Sequence, residues 1–206
     1  MTVTISRLYN SYAEAQAAVN NLEAAGVDHG DISIIASNAD DWYSSDRKTA
    51  SFPDRDLDGK DDRAEAAGTG AGVGAAIGGG AGLLAGLGLM AIPGVGPVVA
   101  AGWLVATLTG AVAGGATGGI IGALTQAGVS KDEADVYAEG LRRGGAVVSA
   151  RVADAEASRL QALMDRSAVR LTDRSAEYRK AGWKSFDPKA QPYNVEQVRR
   201  EREIYR

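Results

Sequence analysis

The chain has 206 residues, no cysteine and a single histidine, His29. Without thiols there is no disulfide, no thiolate nucleophile and no Cys-based zinc site. One imidazole cannot build a His-based metal site or anchor a Ser-His-acid triad, and His29 is expected in a turn. The first 30 residues lack a basic stretch followed by an apolar one, so no signal peptide is expected. The sharpest absence is of charge. From Ala66 to Ser130 there is no Asp, Glu, Lys or Arg, and that stretch holds 20 of the 27 glycines. The mean hydropathy of -0.13 therefore averages two unlike materials. A single evenly mixed domain is excluded, and strongly apolar periodic segments exclude disorder throughout.

The flanking arms are well charged. Residues 1–65 carry 6 basic and 13 acidic side chains, and residues 131–206 carry 16 and 13. Neither arm is basic enough to suggest nucleic acid as a partner.

Both arms read as β-α-β units. Residues 1–36 begin with T-V-T-I-S-R-L, an alternating strand pattern. Ser11 and Glu14 form a capping box, Ala15, Ala18, Val19 and Leu22 share a helix face, and Gly26 stops the helix. A strand follows at Asp31–Ala36, with Ile32 and Ile34 on one face and Ile35 on the other. Residues 131–172 open with a second capping box, Ser130 and Glu133, on a helix that stops at Gly144 and Gly145. Then come a strand at Ala146–Val152, a helix capped by Asp154 with Leu160, Leu163 and Met164 on one face, and a short strand at Ala168–Thr172. Together the halves predict an α+β, ferredoxin-like split β-α-β sandwich with two helices on one face of four strands. Residues 37–65 read as an acidic surface loop, and residues 173–206 as an aromatic and charged tail ending in a helix capped by Asn194. Its separated aromatics, Tyr178, Trp183, Phe186, Tyr193 and Tyr205, suggest anchors for another surface.

Residues 66–130 predict a long helical hairpin inserted between the halves, turning at Pro93-Gly-Val-Gly-Pro97. Each rod would reach about 40 Å, enough for a hydrocarbon layer of about 30 Å. Glycine costs a helix about 1 kcal/mol relative to alanine, so something must offset it. The spacing supplies a reason. Gly70, Gly74, Gly78, Gly82 and Gly86 form one i+4 row, and Gly110, Gly114, Gly118 and Gly122 form another. A row without side chains is a groove into which another helix backbone presses. These rods demand burial, either in the cytoplasmic membrane with both arms cytoplasmic, or inside a soluble cytoplasmic homo-oligomer. Membrane lipid and further copies of the chain are the partners expected.

Just before the rods, Asp54, Asp56, Asp58, the Lys60 carbonyl, Asp62 and Glu65 fit the spacing D-x-D-x-D-G-x5-E of a calcium loop. Calcium is the one cofactor this spacing suggests. A solvated acidic run that keeps the hairpin base in water accounts for the same residues. No paired carboxylates, phosphate loop or nucleophile site point to an enzyme.

The segments T-V-T-I-S-R-L-Y-N-S-Y-A-E-A-Q-A-A-V-N-N-L-E-A-A-G-V, A-I-P-G-V-G-P-V-V-A-A-G-W and A-G-W-K-S-F-D-P resemble the bacterial general stress protein family with the 17M-like (heat-induced stress protein) domain. The resemblance implies a stress-related, non-enzymatic protein and brings no catalytic residues with it.

Overall fold

The computed structural model describes residues 1–43, 87–113 and 119–205. Among these, one five-stranded antiparallel sheet runs in the order β1-β5-β2-β4-β3. The strands are β1 (Thr2–Tyr9), β2 (Ile32–Ser37), β3 (Gly88–Ile92), β4 (Gly96–Gly102) and β5 (Ala146–Ala153). The helices are α1 (Tyr12–Ala24), α2 (Trp103–Ala113), α3 (Gly119–Gln126), α4 (Lys131–Arg142), α5 (Asp154–Met164), α6 (Leu171–Lys180) and α7 (Val195–Ile204).

β5 lies between β1 and β2 and is antiparallel to both, with Thr2 opposite Ala153 and Ile32 opposite Ala150. Both β2 and β5 are apolar on two faces, and each face is covered. Ile32 and Ile34 point to one core with Val148, Ala150, Leu22 of α1 and Leu160 of α5. Ile35 and Val147 point to the other, with Leu104 of α2, Leu124 of α3 and Tyr137 of α4. The two helices expected on one face, α1 and α5, share it, and α2, α3 and α4 cover the other face as well. Burying each such aliphatic side chain stabilises by about 1.5–3 kcal/mol.

Two expected elements differ. Residues 168–172 are not a strand: they lead into α6, and only the Val169 N–H reaches β1, donating to the Leu8 carbonyl at 2.7 Å. The expected fourth ferredoxin-like strand beside β1 is therefore missing, and the sheet grows at its other edge. There, residues 88–102, the ends of the expected helical rods on either side of Pro93-Gly-Val-Gly-Pro97, are a β-hairpin. The turn itself is where the sequence places it. Val95 N–H donates to the Ile92 carbonyl at 3.0 Å, and Gly94 has φ +75°. Proline second and a left-handed glycine third make the type II turn pattern. Val98 and Val99 then favour the extended chain, as β-branched residues do. The helix starts only at Trp103, where the Ser33 hydroxyl of β2 accepts the Leu104 N–H at 2.9 Å. Gly102 makes that exit possible: at φ +93°, a Cβ on it would lie 2.2 Å from the Ile32 carbonyl oxygen.

Of the expected caps, Ser130 with Glu133 and Asn194 with Gln197 form full capping boxes. Ser11 accepts the Glu14 N–H, while Glu14 accepts from Asn10 rather than from Ser11. Asp154 does not cap α5. It is the helix's first residue, and Ala153 precedes it without a side-chain cap. Asp154 can still favour the helix through its charge at the N-terminus.

The tail docks on its own chain rather than projecting as free anchors. Tyr178, Phe186 and Val198 are buried. Tyr178 meets Trp183 and Tyr205 edge-on at 5.8 and 6.4 Å. A Cβ on Gly96 would lie 2.9 Å from Pro192, and one on Gly144 would lie 2.4 Å from Val198. These glycines let the tail approach closely.

Candidate self-association surface

Tyr43 and Leu87 meet beside the sheet. The Tyr43 hydroxyl donates to the Leu87 carbonyl at 3.0 Å, Trp42 stacks on Tyr12 at 4.3 Å, and the Trp42 indole N–H donates to the Ser37 carbonyl. From Leu87 the backbone enters β3, which pairs with β4 from Gly88 opposite Ala100 to Ile92 opposite Gly96. No strand among the described residues pairs with its other side. Leu89 is 45% exposed, Gly88 and Ala91 are exposed, and Met90 is half-buried. The strand G-L-M-A-I carries no charge and no proline, the two features that most often blunt an open edge.

The opposite edge of the sheet is treated differently. On β1, Arg7 pairs with Asp165 and the loop before α6 donates to Leu8. One edge is therefore charged and covered; the other is apolar and, among the described residues, unpaired.

Beside β4, the glycine-rich run continues into α2 and α3, which pack on one another. Leu104 and Leu108 of α2 and Ile120, Ala123 and Leu124 of α3 are buried toward the sheet. Trp103 is held by its indole N–H to the Asp31 carbonyl at 3.1 Å and by Arg151 over its ring at 4.8 Å. Of the glycine rows, Gly110 lies in α2 and Gly122 in α3. A Cβ on Gly122 would meet nothing within 4 Å among the described residues, so no described helix presses on it. Gly70, Gly74, Gly78, Gly82, Gly86, Gly114 and Gly118 lie outside the described residues. So do Asp54, Asp56, Asp58, Lys60, Asp62 and Glu65 of the calcium-like loop.

The second expected rod, from Pro97 to Ala127, is divided among β4, α2 and α3. Among the described residues no helix is long and apolar enough to cross a membrane. At 1.5 Å per residue, the 11 residues of α2 reach about half of a hydrocarbon layer. Among the described residues no group of three or more His, Asp or Glu side chains could hold a metal. His29 occupies a turn and its Nδ1 meets Glu23 Oε1 at 2.8 Å.

Two features escaped the sequence reading. The edge strand is hidden because Leu, Met and Ala suit a helix by composition; Pro-Gly at the turn positions is the local signal for a hairpin. The second is an arginine and tyrosine cluster under the tail, in which Arg143 lies 4.2 Å from the Tyr178 ring centre and Arg174 3.6 Å from that of Tyr205. Alternating arginines and aromatics in the C-terminal arm were its trace in the sequence. No protein-family model, curated protein or solved structure matches the chain.

Proposed function

We propose that the protein is a non-enzymatic, self-associating module whose charge-free segment holds copies of the chain together. The observation that carries this reading is β3, an uncharged edge strand with Leu89 exposed and, among the described residues, no strand on its outer side. A second copy is the occupant that fits. An antiparallel pair of identical strands about a twofold axis is self-complementary and closed, and apolar edge residues on each would cover the other's. Gly122 of α3, with nothing among the described residues within 4 Å of its Cβ position, offers a second track for close approach between copies. The resemblance of its sequence segments to the bacterial general stress proteins supports a role in a stress response. In this reading, the β1-β5-β2 portion is the remnant of a ferredoxin-like sandwich, and the glycine-rich segment is its insertion. The assembly sits in the cytoplasm or against the inner face of its membrane, with both arms cytoplasmic.

Light scattering on a detergent-free size-exclusion column tests the reading. The expected particle is a multiple of the 21.2 kDa chain, and Leu89→Lys shifts it toward the single chain by placing a charge on the edge. A wild-type protein that stays monomeric at every concentration overturns the proposal. Carbonate extraction of cell membranes then separates a peripheral or cytoplasmic assembly, which is released, from an embedded one.

A further inference from the structure

The strands beside β3 fix which of its backbone groups face outward. Just past β2, the Asn38 N–H donates to the Pro97 carbonyl at 2.8 Å, so Pro97 faces the β2 side. Along an antiparallel strand the N–H and C=O of one residue point to the same side, and successive residues alternate. Val99 therefore faces β2 with Pro97, while Val98 and Ala100 face β3. Opposite these two stand Met90 and Gly88, which bond inward. Leu89 and Ala91 carry their N–H and C=O groups to the open side. Pro97 stands opposite Ala91 and suits this pattern, having no N–H to offer β3.

That outward ladder is bounded at both ends. Leu87, the next residue of the same parity toward the N-terminus, already accepts the Tyr43 hydroxyl on its carbonyl at 3.0 Å. Pro93, the next in the other direction, has no N–H. Between them lie two residues, each with one donor and one acceptor, placed symmetrically about Met90. A strand that satisfies all four groups must present the same arrangement in reverse, and a second β3 does. The five residues Gly-Leu-Met-Ala-Ile carry no charge, so identical strands meet without like charges opposite one another.

We propose that two copies join through β3 in one register, with Met90 opposite Met90 on the twofold axis and Leu89 opposite Ala91 on either side of it. The inference rests on the self-association reading and adds the atoms to it. Each Leu89–Ala91 pair exchanges both of its N–H···O=C bonds, and the two five-stranded sheets become one continuous sheet. On the outer face, the exposed Leu89 of one copy lies beside the small Ala91 of the other. The alternatives of the same parity lose bonds. Leu89 opposite Leu89 sets Ala91 against the occupied Leu87 carbonyl, and Ala91 opposite Ala91 sets Leu89 against Pro93.

The chain has no cysteine, so single-cysteine variants report the register. Met90 opposite Met90 is a non-hydrogen-bonded pair, with Cα atoms about 4.5 Å apart and within disulfide range. Leu89 to Leu89 and Ala91 to Ala91 are diagonal pairs at about 7–8 Å, beyond it. Under a mild oxidant, Met90→Cys is expected to form a disulfide-linked dimer about ten-fold faster than Leu89→Cys or Ala91→Cys. Mixing the last two variants should give the mixed dimer ahead of either homodimer. This mixture also serves if Met90→Cys fails to fold, because Leu89 and Ala91 are exposed. Faster cross-linking of Leu89→Cys or Ala91→Cys, equal rates for all three, or no excess of mixed dimer overturns the register. If light scattering still finds wild-type particles larger than one chain, self-association survives that failure. A wild type that is monomeric at every concentration overturns both.

Discussion

A Cβ placed on Gly94 would lie 2.7 Å from the carbonyl oxygen of Asp187, so the tip of the β3–β4 hairpin meets the C-terminal tail backbone to backbone. Gly94 also holds φ +75°, where a side chain is strained. Gly94→Ala is therefore expected to destabilise by about 1–3 kcal/mol and to lift the tail from the hairpin. Urea denaturation measures the first effect. Limited proteolysis near Phe186, which is buried in the native chain, measures the second: cleavage speeds up while the sheet remains folded.

Arg143 and Glu139 form the ion pair beneath that tail. Glu139 is 1% exposed, and the Nε of Arg143 is 2.7 Å from it. Burial works against the Arg143 charge, but Glu139 and Glu201 outweigh it and hold the guanidinium pKa up. Arg143→Leu leaves a buried carboxylate with only Arg142 at 3.4 Å, and is expected to cost about 3–5 kcal/mol. Replacing Glu139 with leucine as well removes the unpaired charge. The double variant should recover much of the loss, and a denaturation cycle over the four proteins checks the coupling.

How far the fold could be read from the sequence depended on where its signals were local. Ser130 with Glu133, Asn194 with Gln197, and the alternation of Ile32, Ile34 and Ile35 are signals within a few residues, and they hold. The stretch around Pro93 was decided by long-range pairing. Val98 opposite Ser37 and Ala100 opposite Ile35 place β4 beside β2, and no helical spacing reveals that partner. Residues 168–172 fail for another reason: the segment lies beside β1 but makes only the one backbone bond from Val169 to Leu8 before α6 begins at Leu171. For the candidate surface, the absence of charge was legible, but the edge was not, because an edge is a property of the sheet's order. The arginine and tyrosine cluster under the tail brings together Asn10 and Arg174, a contact of sequence separation 164, which no spacing pattern encodes.

The tyrosines give the protein an alkaline limit. The Tyr137 hydroxyl donates to the Ser6 carbonyl at 2.7 Å, and burial pushes its phenol up to about 12, with Arg7 opposing. Tyr9 and Tyr178 are also raised by burial. In the unfolded chain each phenol ionises near pH 10 (about 10). Their contribution is complete below that pH and is lost as pH rises toward the folded values, because the unfolded state releases its protons first. The loss approaches about 1.4 kcal/mol per pH unit for each tyrosine. Denaturation curves collected from neutral pH to pH 12 (about 12) should show this slope. Tyr137→Phe should cost about 1 kcal/mol at neutral pH and reduce the alkaline slope by about one proton.

Gly122 separates a track for neighbouring copies from a glycine of no consequence. Within the chain, a side chain there meets open space among the described residues, and leucine is a better helix former than glycine by about 0.5–1 kcal/mol. Gly122→Leu should leave the stability of the single chain unchanged or slightly raised. If copies press against α3 along its glycine row, the same leucine fills the space that a partner backbone needs, and the assembly dissociates. Thermal melting of dilute protein and light scattering of concentrated protein read the two effects separately. A variant that melts as the wild type but no longer assembles locates the contact at α3. If it assembles unchanged while Leu89→Lys does not, β3 alone joins the copies, and the open glycine of α3 serves no interface.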